Sequence, residues 1–167
     1  MFVKGTKIVD AIALQSSIKR IAYQMFESTI DETEIVIVGV GEQGKTLSSL
    51  LGDTLKKIGN STLVFVNLTL DKTNPLGTIK SSIPLSELKN KSLIIVDDVL
   101  NTGSTLMYAV SFFLSIPVKQ IKTAVMVNRN HKKFPIKADF KGISLSTSLN
   151  EHITVLLEGN EKGVYLS

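Results

Sequence analysis

Ser92 to Val110 reads S-L-I-I-V-D-D-V-L-N-T-G-S-T-L-M-Y-A-V. The run Leu93 to Val96 is continuously apolar and β-branched, the pattern of a strand buried on both faces. It leads directly into two adjacent carboxylates, Asp97 and Asp98. The segment that follows, Asn101-Thr102-Gly103-Ser104-Thr105, is small, hydroxyl-rich and bent by one glycine, and it precedes a helical pattern. Loop amides, hydroxyls and the positive end of the following helix together form an anion cradle. Carboxylates at the strand end can accept hydrogen bonds from vicinal sugar hydroxyls. The stretch therefore suits a sugar phosphate. That reading requires both carboxylates to line a pocket rather than turn inward onto a lysine.

The rest of the chain supplies the frame. Ile12 to Ser28 is an amphipathic helix, and Glu34 to Val40 a short buried strand. Gly39 to Gly44 reads as a loop and Thr46 to Ile58 as a helix. Thr62 to Thr69 is a second strand, and Leu70 to Pro84, with Asn74-Pro75 and Gly77, an exposed loop. Ser92 to Asp97 is the third strand, Thr105 to Leu114 a helix and Ile121 to Asn128 the fourth strand. Phe134 to Ser148 reads as irregular with a short strand, and Ile153 to Leu157 with Val164 to Leu166 as a hairpin. Alternating strands and helices predict an α/β fold: a doubly wound, mostly parallel sheet with helices on both faces, plus a small C-terminal hood. Ligands of such sheets sit beyond the carboxyl ends of the strands.

Composition narrows the chemistry. The 167 residues make one domain, 43% hydrophobic and 20% charged, which argues against disorder. With no cysteine there is no disulfide, thiolate metal site or thiol nucleophile, and two histidines make a histidine metal site improbable. The N-terminus M-F-V-K-G-T-K-I-V-D lacks the apolar run of a signal peptide. No segment reaches about 18 uninterrupted apolar residues. A cytoplasmic protein is expected. The net charge of +4 suits anionic ligands but is also ordinary for a lysine-rich surface.

A second phosphate-binding pattern competes. Gly39-Val40-Gly41-Glu42-Gln43-Gly44-Lys45-Thr46 satisfies G-x-x-x-x-G-K-[ST] between a strand and a helix, which would make the chain a P-loop NTPase or kinase. Against this, the cradle Thr102 to Thr105 has no task in a P-loop protein.

The Asp-Asp and Thr-Gly stretch resembles the PRPP (phosphoribosyl pyrophosphate) motif of type I phosphoribosyltransferases. The resemblance implies that Asp97 and Asp98 hold the ribose 2′ and 3′ hydroxyls and help bind Mg²⁺, directly or through water. It also implies that Asn101, Thr102, Gly103, Ser104 and Thr105 bind the 5′-phosphate. Val40, Gly41, Glu42, Gln43, Gly44 and Lys45 then face the pyrophosphate, joined by Lys72 from a closing lid.

Thr123 to Ser148 further resembles the pyrimidine-operon attenuator/uracil phosphoribosyltransferase family, through Arg129, His131, Lys132, Pro135, Ile136, Lys137, Ala138, Asp139, Phe140, Gly142, Thr147 and Ser148 in order. This implies a hood in which Val127, Asn128, Arg129, Asp139 and Phe140 meet the base. The resemblance also implies uracil as the base, giving UMP, and a homodimer or tetramer as the assembly. His131 reads as a structural hydrogen-bonder. A leader RNA is a further implied partner, with Lys19, Arg20, Lys132, Lys133, Lys137 and Lys141 as a basic face, and a non-catalytic RNA-binding regulator is an alternative. The sequence departs from the family at Glu42-Gln43-Gly44 (Thr-Arg-Gly), Leu70-Asp71-Lys72-Thr73 (Tyr-Arg-Asp-Asp) and Ser104 (arginine).

Overall fold

In the computed structural model, which describes residues 5–167, the apolar runs become the strands of one central sheet. The reading of Met1 to Lys4 lies outside the described residues. In chain order the elements are β1 (Thr6–Val9), α1 (Ala11–Ser28), β2 (Glu34–Val40), α2 (Gly41–Ile58), β3 (Thr62–Thr69) and β4 (Lys80–Ser81). After a 3-10 turn at Leu85–Leu88 come β5 (Ser92–Leu100), α3 (Ser104–Phe113), β6 (Gln120–Arg129), β7 (Phe140–Leu145), β8 (Ile153–Leu156) and β9 (Gly163–Leu166).

The main sheet has the order β4-β3-β2-β5-β6-β7. All its neighbours pair in parallel except β4, which lies antiparallel on β3. Chain order reverses between β2 and β5, whose carboxyl ends therefore open a crevice at the switch point. A second, three-stranded antiparallel sheet, β1-β9-β8, joins the two ends of the chain.

Strand alternation divides the core. Ile35, Ile37, Ile94 and Val96 pack with Leu14 and Ile21 of α1 and Leu47 and Leu51 of α2. Val36, Val38, Leu93 and Ile95 pack with Leu106, Ala109 and Phe113 of α3 and with Leu88. Each such side chain contributes about 1.5–3 kcal/mol by leaving water. The α1 helix starts at Asp10, whose carboxylate accepts from Ala13 N at 2.8 Å. It stops at Thr29, whose hydroxyl donates to the Met25 carbonyl at 2.7 Å. An aspartate cap of this kind is worth about 1 kcal/mol.

Four expectations change. The Gly39 to Gly44 loop is absent: β2 runs to Val40 and α2 begins at Gly41, whose φ of 65° makes the whole turn. The β5 strand continues past the acid pair to Leu100, so Asp97 and Asp98 lie within it. Phe134 to Ser148 contains a full parallel edge strand, β7, and the terminal hairpin gains β1 as a third strand. Among the described residues no helix is long and apolar enough to cross a membrane.

The glycines of the rival phosphate pattern have packing roles. A Cβ on Gly39 would lie 2.6 Å from Lys45 Cα, and one on Gly44 2.6 Å from the Val96 carbonyl. Their absence seats the first turn of α2 on the ends of β2 and β5. Gly44→Ala should therefore destabilise the fold by about 1–3 kcal/mol, the scale of overpacking a tight interior. Urea denaturation measures it, and unchanged stability would contradict this packing role.

Candidate active site

The switch point opens into a cavity of about 350 Å³ over the end of β5. Asp97 and Asp98 line it, as do residues 99–106, Lys72, Arg129, His152 and Ile153. The acid pair thus meets the first requirement drawn from the sequence. The second is met only in part. Asp97 is 1% exposed, and its Oδ1 accepts from Lys72 Nζ at 3.0 Å and from the Asp98 amide at 2.9 Å. Lys72 also stands 3.8 Å from Asp98 Oδ1. This lysine is no core partner, since its side chain is 47% exposed and belongs to the cavity wall.

Burial pushes the Asp97 carboxyl up to about 7, aided by the charge of Asp98 and opposed by the Lys72 ammonium. For Lys72, burial works to lower the ammonium, but the charges of Asp97 and Asp98 outweigh it and hold it above its ordinary value. Taking a carboxylate out of water is costly unless it is paired. Here the pairing comes from a side chain on the connection after β3.

The phosphate-loop residues converge as expected. Gly103 caps α3 in the left-handed region, φ 87°, and a Cβ there would lie 2.5 Å from Ile136 Cγ2. The loop is strapped from outside: Lys133 N and Phe134 N both donate to the Thr102 carbonyl, at 2.8 and 3.1 Å. Thr102 Oγ1 accepts from Ser104 N at 3.3 Å. The first-turn amides of α3 have no intrahelical acceptors, and with the helix dipole they favour an anion.

The residues expected at the pyrophosphate separate. Val40 is core, and Gly41 to Lys45 form the first turn of α2, with Glu42, Gln43 and Lys45 exposed. Only Lys72 of that set lines the cavity. Its Cε lies 3.9 Å from where a Gly41 Cβ would stand, so its stem crosses the start of α2. The P-loop reading fails here, because no loop remains to wrap a nucleotide phosphate.

The base-binding set also divides. Arg129 reaches the cavity, with Nε donating to Thr147 Oγ1 at 2.8 Å and Nη2 to the Ser148 carbonyl at 2.9 Å. Asn128 is buried beside it and its Oδ1 has no partner, while Val127 is core. Asp139 and Phe140 lie at the opposite end of the sheet, because β7 starts beside Ala124 and only its far end, Leu145, reaches Arg129. Asp139 Oδ2 accepts from Thr123 N at 2.9 Å and Phe140 is core, so both are structural. His131 Nε2 bonds the Thr147 carbonyl, as its structural reading anticipated. Sequence reasoning missed His152 and Ile153, which the pairing of His152 with Ser167 carries to the cavity. No local motif marks them.

Magnesium fits this donor set. It needs one or two carboxylates and completes its octahedron with water and substrate oxygens. Asp97 and Asp98, both on the cavity wall, would supply those carboxylates. Among the described residues no group of three or more His, Cys, Asp or Glu forms an all-protein metal cage.

The buried carboxyl has a consequence for stability. Asp97 ionises near 3.8 when unfolded and near about 7 in the fold, so the folded chain binds this proton more tightly. The associated stabilisation is complete below the unfolded value and lost as pH rises through the folded one. Urea denaturation from about pH 4 to about pH 8 should show wild type losing stability relative to Asp97→Asn. Parallel curves would contradict the shift.

Comparison with known proteins agrees with this geometry. The family model described as phosphoribosyl transferase domain matches residues 5–158. A Bifunctional protein PyrR from Pediococcus pentosaceus is 32% identical over 161 residues, 90% of this chain and 91% of that protein. One from Clostridium acetobutylicum is 33% identical over 163 residues, 92% of this chain and 90% of that protein. Among solved structures, a hypoxanthine-guanine phosphoribosyltransferase (hpt-2) from Bacillus anthracis shares the fold with a TM-score of 0.79 at 18% identity, over 97% of this chain and 96% of that one. The hypoxanthine phosphoribosyltransferase of Trypanosoma cruzi does so with a TM-score of 0.78 at 12% identity, over 96% and 95%. The family match spans β1 to β8 and takes in both walls of the cavity: the chain belongs to the phosphoribosyltransferases, among the PyrR proteins.

Proposed function

We propose that this protein binds PRPP and a nucleobase, uracil, and transfers the phosphoribosyl group to give UMP and pyrophosphate. The observation that carries the reading is one cavity holding both an acid pair and a threonine-glycine phosphate cradle. The 5′-phosphate sits on the amides and hydroxyls of Asn101 to Thr105, and Asp97 and Asp98 accept from the ribose 2′ and 3′ hydroxyls. With phosphate and ribose so placed, Arg129, His152 and Ile153 form the wall left for the base, beside Asn128. Uracil as that base draws on the resemblance of Thr123 to Ser148.

The chemistry needs no protein nucleophile. A base nitrogen bonds to C1′ as the bond from C1′ to the pyrophosphate oxygen breaks, its electron pair leaving with the pyrophosphate and the nitrogen's proton being released. Fixing ring and base in line removes much of the entropic barrier. The carboxylates and amides are oriented before charge develops at C1′ and on the leaving group. Magnesium, when bound by Asp97 and Asp98 with substrate oxygens, supplies positive charge against the pyrophosphate. Lys72 and the start of α2 lie on the leaving-group side.

A leader-RNA role draws on the relatives' description as bifunctional and on exposed Lys19, Lys132, Lys133, Lys137 and Lys141. Arg20 is tied into that face, its guanidinium donating to the carbonyls of Lys141 and Gly142. A salt-dependent gel shift with the organism's own leader, competed by that leader and not by unrelated RNA, tests it.

Asp98→Asn should keep the fold and lower turnover by at least about 100-fold, the scale of losing a preorganised electrostatic partner. Steady-state assay with PRPP and uracil measures it, and wild-type turnover would remove Asp98 from the reaction. Thermal-shift assays with Mg²⁺ should show stabilisation by PRPP and UMP. Stabilisation by ATP alone would contradict the assignment.

A further inference from the structure

Lys72 touches the two halves of the site at once. Its ammonium stands 3.0 Å from Asp97 and 3.8 Å from Asp98, where a divalent cation bound by this pair would have to sit. Its stem crosses the start of α2, 3.9 Å from the space a Gly41 Cβ would fill. The residue is held at the apex of a small turn, in which Asp71 Oδ1 accepts from the Thr73 amide and hydroxyl at 2.8 and 2.7 Å. Beyond it residues 73–78 are largely exposed, so little packing opposes movement of this segment.

We propose that Lys72 is a built-in counter-cation that bars free divalent metal from the acid pair and withdraws only when a pyrophosphate group offers it another partner. The inference rests on the phosphoribosyltransferase reading of the cavity. The ammonium in contact with Asp97 repels a second cation from the same carboxylate pair, because magnesium binds oxygen at about 2.0–2.1 Å and the two positive charges would stand side by side. Metal without substrate must therefore displace Lys72 into solvent with nothing gained in exchange. Metal arriving with PRPP brings phosphate oxygens to the start of α2, next to the lysine stem, so a rotation about the side chain exchanges one anion for another. The acid pair thus keeps a positive partner in both states, which a buried carboxylate requires. Metal and PRPP should consequently enter as a unit, and the order of binding is set by one side chain.

The test uses Mn²⁺ as the probe, read as loss of the free-ion signal in electron paramagnetic resonance. Wild type, Lys72→Met and the double variant Lys72→Met/Asp98→Asn are titrated with and without PRPP. Lys72→Met retains the stem and removes the charge. Without PRPP it should bind Mn²⁺ at least about tenfold more tightly than wild type, the scale on which removing one close charge acts. The double variant should fall back to the wild-type level, which assigns the gain to the acid pair. With PRPP the difference between wild type and Lys72→Met should shrink or reverse. Equal Mn²⁺ affinity of the two without PRPP, while PRPP still promotes Mn²⁺ binding to wild type, would overturn the lysine's role and leave the cavity assignment standing. Failure of PRPP to promote Mn²⁺ binding in wild type would overturn both.

Discussion

A carboxylate inside a buried strand must be charged to accept from sugar hydroxyls and hold a metal, the role proposed for Asp97, yet its burial favours the neutral form. Asp97 stands under that constraint, 1% exposed between the β2 and β6 strands that flank β5. Much of the surrounding architecture follows from it. The β5 strand continues three residues past Asp97, which carries Asp98 to the cavity and aims the chain into the phosphate loop. Gly44 lets α2 press against the Val96 carbonyl one residue before the acid. Lys72, its stem crossing the start of α2, then supplies the missing positive charge.

The same constraint accounts for the division of labour between the strand ends. In the proposed reaction anion recognition falls to backbone, the amides that open α3, with Gly103 in a conformation other residues resist. The proposed recognition of hydroxyls and metal falls to the two side chains that can carry negative charge. Lys72 lies between them and can answer to either. Arg129, which a sequence reading aims at the base, lines the cavity and also donates to Thr147 and Ser148. It pins the segment between β7 and β8 over the cavity, and with it the approach to His152 and Ile153.

How much of this was legible in the sequence depends on how local each feature is. The acid pair and the Thr102 to Thr105 cradle are contiguous, and the strand before them and the helix after them carry strong patterns, so their placement was readable. Gly39 to Thr46 misled because glycine spacing reports close approach of backbone without saying to what. Here the approach is of helix to strand, not of loop to phosphate. Asp139 and Phe140 misled for a topological reason: a parallel crossover returns the chain to the far end of the sheet, so residues a few positions beyond Arg129 start β7 at the wrong edge. The β1 strand was invisible because it depends on pairing between the two ends of the chain, and although the hairpin that carries His152 and Ile153 was readable, its seat over the cavity was not, because no local pattern encodes it. Lys72 was legible as a cation of the lid but not as a partner of the acids, since that contact spans 25 residues.

The account stands or falls on a single grip, shared by Asp97, Asp98 and the bend at Gly103, on one phosphorylated pentose. A crystal structure of the protein grown with PRPP and Mn²⁺ tests it most directly, the metal being located by its anomalous signal. The account predicts the 5′-phosphate on the amides of residues 102–105, the ribose 2′ and 3′ oxygens within hydrogen-bond distance of the acid pair, and Mn²⁺ beside them with Lys72 moved away. PRPP bound elsewhere, or bound in this cavity with its phosphate away from that bend and Lys72 still on Asp97, would contradict it.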